Sequence, residues 1–208
     1  MLPRLMLNFL LVSVFVNCVA LAAPVPRDAR KTELYFPTTV GTEWVYGSAD
    51  SKEDEFADTL EITEAEESDG ATVVTVVRSF HRRPQSTETI RVSSAGLFLL
   101  ANDHGKHDPP ACVLKLPCAA GDRWRTYCLP LKPNPGYVNV VVNEEQVKVP
   151  AGTFNAIRVD TEFTLEGETK RVYTHWYAPD VGVVKYEIGE AFGGKGQTVL
   201  KSFKLGKK

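Results

Sequence analysis

From Leu34 to the end of the chain, apolar residues fall in short runs of period two, separated by turn residues. Leu60 and Ile62 alternate with polar neighbours in TLEITE, Glu66–Gly70 (EESDG) reads as a turn, and Ala71–Val77 (ATVVTVV) is β-branched almost throughout. Such branching favours a strand over a helix. Ile90 and Val92 alternate in ETIRVS, and Ser94-Ala95-Gly96 turns the chain into Leu97–Leu100. In the second half, Val138, Val140 and Val142 share one face, and Val147 and Val149 lead to the tight connection Pro150-Ala151-Gly152. Ile157, Val159, Thr161 and Phe163 alternate strictly with Arg158, Asp160 and Glu162. A hairpin turn at Glu166-Gly167-Glu168 then gives Arg171–Tyr177 (RVYTHWY), Val184/Tyr186/Ile188 and, after Gly193–Gly196, a last strand. Alternation with turn signals every ~8–12 residues marks an all-β chain, and alternating faces imply antiparallel sheet with one side wet. The best helical candidate, Ser51–Phe56, is short and mostly charged, so no long helix is expected after the leader.

The leader is residues 1–22. Arg4 precedes an apolar stretch from Leu5 to Leu21 that ends in Ala20-Leu21-Ala22, the small-x-small pattern of signal peptidase sites. Cleavage after Ala22 is the expectation, with a retained membrane anchor as the alternative, since the stretch approaches the ~17–25 residues of a spanning helix. Residues 23–33 read as a linker and 34–208 as one antiparallel β domain. The expected location is secreted or periplasmic.

One motif occurs twice. Phe36-Pro37-Thr38-Thr39-Val40-Gly41-Thr42-Glu43-Trp44 matches Leu116-Pro117-Cys118-Ala119-Ala120-Gly121-Asp122-Arg123-Trp124, both reading apolar-Pro-x-x-x-Gly-x-x-Trp. Pro sets the backbone entering a turn, Gly permits a positive φ, and the following strand carries the Trp. Two equivalent starts predict two related sheet halves, with Trp44 and Trp124 as core anchors or as a ligand platform.

The formal charge is -2. There is neither a basic stripe nor an acidic block, which makes nucleic acid a poor partner. No second apolar stretch is long enough to span a bilayer once the leader is removed.

Taken in order, Tyr35–Pro37 with Gly41–Trp44, Leu114–Trp124, Val149–Phe154 (VPAGTF) and Trp176–Lys185 (WYAPDVGVVK) resemble the TapB-like secreted bacterial proteins, related to the DUF3108-like family of unknown function. The resemblance runs from about Tyr35 to about Ile188. It implies a curved antiparallel sheet, either a half-open barrel or a two-sheet clam, and it brings no catalytic residues.

Candidate chemistry is sparse. His104 and His107 lie in a turn-rich stretch, Asn102–Pro110 (NDHGKHDPP), where a His-x-x-His pair can reach one metal; a solvated loop is the simpler reading. There is no Gly-x-Ser-x-Gly, and GGKG at Gly193–Gly196 lacks the residues of a phosphate loop. No cofactor is expected. Cleavage of the leader removes Cys18 and leaves Cys112, Cys118 and Cys128. If the flanks of Pro117–Asp122 pair as a hairpin, Cys112 falls opposite Cys128 and a disulfide between them is expected, with Cys118 free. A Cys118 disulfide and a zinc site are the rivals.

Two functional classes follow. One is a non-catalytic binding or carrier module for an apolar or glycan-like ligand, with Trp44, Trp124, Tyr173, Trp176 and Tyr177 as the ligand-facing aromatics. The other is a structural or assembly component of the envelope with a solid core. A metal-dependent hydrolase ranks below both and would need His104, His107 and a carboxylate to converge.

Overall fold

The computed structural model describes residues 33–49, 57–81, 83–127, 136–165, 167–189, 191, 193 and 196–207. The leader, the linker up to Thr32, the Ser51–Phe56 candidate and Cys128 lie outside them. The strands in chain order are β1 (Glu43–Ser48), β2 (Asp58–Ser68), β3 (Ala71–Phe80), β4 (Arg83–Ser93), β5 (Gly96–Asn102), β6 (Gly105–Lys115), β7 (Arg123–Thr126), β8 (Tyr137–Val149), β9 (Gly152–Leu165), β10 (Glu168–Ala178), β11 (Gly182–Ile188) and β12 (Gln197–Lys204). They form one sheet in the order β6-β5-β4-β3-β2-β1-β12-β11-β10-β9-β8-β7. Every neighbouring pair is antiparallel, and the sheet is nearly closed and barrel-shaped. Among the described residues there is no helix.

The order is that of two six-stranded meanders, β1–β6 and β7–β12, joined where β1 pairs β12 from Glu43↔Lys204 to Ser48↔Thr198. Each meander opens with one copy of the repeated motif, and the copies make the same backbone bonds. Gly41 N–H donates to Ile62 O (2.8 Å), Thr42 N–H to Thr39 O (3.2 Å) and Ile62 N–H to Thr42 O (3.0 Å). In the second copy Gly121 N–H donates to Val141 O (2.8 Å), Asp122 N–H to Ala119 O (3.0 Å) and Val141 N–H to Asp122 O (3.0 Å). Gly41 and Gly121 take φ of 78° and 90°, values that a side chain would resist. The spacing of Pro, Gly and Trp therefore encodes a turn that hooks onto the next strand and then enters the sheet.

The core is built by the alternation that the sequence shows. Ile62, Val74, Val76 and Val92 bury one face of β2–β4, and Val159, Trp176, Val184 and Leu200 are buried on β9–β12. Between β11 and β12 the ladder runs only from Lys185↔Val199 to Glu187↔Gln197, so carbonyls beyond it need other donors. Trp44 supplies its indole N–H to Val181 O (2.7 Å), and the Tyr46 hydroxyl donates to Val183 O (2.6 Å). On the β12 side Leu200 O accepts from Ala151 N–H (3.2 Å), which fixes the Pro150–Gly152 turn over the sheet. Asp180 N–H donates to Leu34 O (2.7 Å), and the Phe36 ring lies 5.1 Å from that of Trp44. The VPAGTF and WYAPDVGVVK segments and the first Trp motif thus meet in one region.

Three expectations change. In the first half of β8 the buried residues are Asn139 and Val141, while Val138 and Val140 are half-buried and Val142 is exposed, so the face shared by the three valines is not the buried one. Asn139 can be buried because its amide donates to Thr126 Oγ1 (2.7 Å) and accepts from Thr161 Oγ1 (2.8 Å). The NDHGKHDPP stretch is not a loop: the chain turns at Asp103-His104 and continues as β6, and His107 is buried in that strand. Pro109 and Pro110 are tolerated there because β6 ends the sheet order and need not donate on both sides. Finally, the flanks of Pro117–Asp122 do not pair as a hairpin, since β6 pairs with β5 and β7 with β8. The hairpin register from which a Cys112–Cys128 bond is expected is therefore absent; Cys112 and Cys118 are free thiols, and Cys128 lies outside the described residues.

Candidate functional site

Strand pairing inside the barrel places two patches of side chains around one cavity. On β2–β4, Leu60 pairs with Arg78, and Val76 pairs with Glu88. On β10–β11, Tyr173 pairs with Ile188, and His175 pairs with Tyr186. Together with Tyr46 and Val183 these residues line a cavity of ≈ 550 Å³. That volume lies within the ~300–1,000 Å³ of small-molecule sites.

The polar groups differ in how far they are already engaged. Tyr46 is buried, its hydroxyl held by Val183 O, and burial pushes its pKa well above the ordinary tyrosine value. Arg78 donates to Asp58 Oδ2 at 2.5 Å. Burial by itself would lower the Arg78 pKa, but the bond and charge of Asp58, with Tyr186 adding to them, hold it above its usual value. His175 sits among three tyrosines, its ring 5.8 Å from Tyr173, 5.9 Å from Tyr177 and 6.0 Å from Tyr186. Burial lowers its pKa to about 4, so it is neutral at pH 7, and its ring nitrogens have no hydrogen bond among the described residues.

Glu88 lines the cavity and is exposed to solvent, with protein packed around its carboxylate on the cavity side. This crowding raises its pKa; Arg78 pulls it down and Asp103 adds to the rise. The Glu88 carboxylate forms no hydrogen bond or ion pair among the described residues.

Of the five aromatics singled out from the sequence, Tyr173 lines this cavity. Trp44 is 1% exposed and packs between Phe36 and Phe203. Trp124 is half-buried, its indole N–H donating to Cys112 O (2.9 Å) across the gap between β7 and β6. Trp176 is buried beneath cations, with Lys185 Nζ 4.2 Å and Arg158 5.6 Å from its ring, and its N–H goes to Glu145 Oε1 (2.5 Å). Tyr177 is buried beside His175, and burial raises its pKa. His104 is exposed in a turn while His107 is buried, and among the described residues no three His, Cys, Asp or Glu side chains gather to hold a metal.

Tyr46, Arg78, Glu88, His175 and Tyr186 were not singled out. The signal was available for one of them, because period two on RVYTHWY puts His175 on the face of Tyr173. Arg78 sits near the polar end of β3 and Glu88 in the polar stretch RPQSTE that opens β4, where charge reads as surface.

Comparison with known proteins places this architecture. Residues 139–200 match the DUF3108-like family model. The match runs from β8 into β12 and so falls on the second meander. A crystal structure from Bacteroides fragilis, of a protein named as exported and as having a YmcC-like fold, is similar with a TM-score of 0.55 at 18% identity. It covers 83% of this chain and 99% of that one. A structure from Parabacteroides distasonis, named as a lipoprotein, gives a TM-score of 0.44 at 18% identity and covers 84% of this chain and 100% of that one. No curated protein matches the chain.

Proposed function

We propose that this chain is an exported protein of the envelope or periplasm that binds a small, largely apolar ligand inside its barrel and performs no chemistry on it. The cavity of ≈ 550 Å³ is the observation that carries this reading. Its wall combines apolar area from Leu60, Val76, Val183 and Ile188 with aromatic faces from Tyr46, Tyr173 and Tyr186. A few polar groups among apolar walls are the usual composition of a site that holds and orients a molecule. Export is supported by the sequence of residues 1–22, which reads as a leader cleaved after Ala22 so that the mature chain would start near Ala23, and by the likeness in fold to the Bacteroides fragilis protein named as exported.

Native mass spectrometry of the protein purified from its own periplasm tests the reading. A co-purified small molecule is expected on the wild-type chain and absent from Val76→Trp, which fills the cavity. A wild-type chain that carries no added mass, or a ligand retained by Val76→Trp, would contradict it.

A further inference from the structure

The cavity that the proposed function relies on also carries a charge pattern. Its cation, Arg78, is neutralised by Asp58 at 2.5 Å, and Tyr186 lies against the same guanidinium. His175 is neutral, and the Tyr46 hydroxyl is engaged with a backbone carbonyl. What remains is the Glu88 carboxylate, next to Val76 across the β3–β4 ladder and with Asp103 adding negative charge nearby. An anionic ligand would meet an occupied guanidinium and a bare carboxylate. A cation would meet that carboxylate together with the π-faces of tyrosines, an arrangement that favours ammonium groups.

We infer that the barrel selects cationic amphiphiles, with an ammonium head between Glu88 and the Tyr173/Tyr186 wall and an apolar tail along Leu60, Val76 and Ile188. This rests on the carrier reading but specifies what it leaves open. The head need not be desolvated completely, because Glu88 is exposed to solvent. The tail lies against side chains that pair across two different ladders, Leu60 on the β2–β3 side and Ile188 on the β10–β11 side. One ligand therefore spans both meanders.

The test is calorimetric titration of the mature chain with decyltrimethylammonium, decyl sulfate and decanol, each below its self-association limit. The ammonium is expected to saturate one site at least about 10-fold more tightly than decanol, with the sulfate weakest. Glu88→Gln, a near-isosteric change at an exposed position, should bring the ammonium to within about 3-fold of decanol. As a check that needs no variant, raising salt from about 0.05 M to about 0.5 M should weaken the ammonium and leave decanol unchanged. Decanol binding without ammonium preference, or a preference that survives Glu88→Gln, would overturn this inference and leave the carrier reading standing. Failure of all three to bind would overturn both.

Discussion

At Gly41–Trp44 and at Gly121–Trp124 the chain makes the same three backbone bonds, yet the strands that follow meet their neighbours differently. β1 is paired on both sides, with β2 and with β12, and its Trp44 is wholly buried. β7 is paired with β8 alone among the described residues, and it approaches β6 through side chains. There Trp124 Nε1 and Thr126 Oγ1 both donate to one acceptor, Cys112 O. The equivalent seam is thus a backbone ladder in one place and a two-point side-chain latch in the other. A repeated turn fixes how a strand enters a sheet; it does not fix what lies on the strand's far edge. An antiparallel ladder satisfies the backbone groups along its whole length, whereas a latch leaves most of the edge to other partners.

The first way to break this comparison is at the two tryptophans. Trp44→Ala removes a fully packed ring and orphans Val181 O, and should cost about 3–5 kcal/mol. Trp124→Ala, at a half-buried site where Thr126 still serves the same carbonyl, should cost about 1–2 kcal/mol. Urea denaturation of the two variants measures the contrast. Equal losses would show that the seams are energetically alike.

The asymmetry bears on what the sequence could reveal. Alternation located the strands well because most have one dry face, as Ala71–Val77 and Ile157–Phe163 do. The repeat gave both sheet entries because Pro, Gly and Trp act locally. Burial on β8 was misread because Asn139 is accommodated by partners on β7 and β9, Thr126 and Thr161, which no local pattern reveals. The cavity was mostly hidden for the same reason. Arg78 and Glu88 become neighbours of His175 only when β2–β4 and β10–β11 curve toward each other. Trp176 and Tyr173 looked alike in RVYTHWY, but alternation sends them to opposite faces, one beneath Lys185 and the other into the cavity.

On the firmly paired side, His175 supplies a test by acid. The unfolded chain binds its proton near pH 6.5 and the folded chain only near 4. Protons therefore favour unfolding between these values: the contribution is neutral above about pH 6.5, grows as pH falls and levels off below about 4. The loss should reach at most about 3 kcal/mol, and His175→Phe should remove it from a stability–pH profile. A profile unchanged by that substitution would mean that His175 titrates normally in the fold.

The smallest effect is expected at the latch itself. Thr126→Val takes one donor from Cys112 O and leaves the Asn139 amide without its partner, for a loss of about 1–2 kcal/mol in chemical denaturation. Trp124 should hold the seam in that variant, whereas Thr126→Val with Trp124→Phe should cost more than the sum of the two single changes. Simple additivity would mean that the two donors act independently.

Amide hydrogen exchange, resolved by residue in the wild-type chain, compares the seams most directly. The account predicts that β1 amides directed at β12 exchange only on global unfolding, while β7 amides directed at β6 exchange at least about 100-fold faster through local opening. Equal protection at the two seams would contradict it.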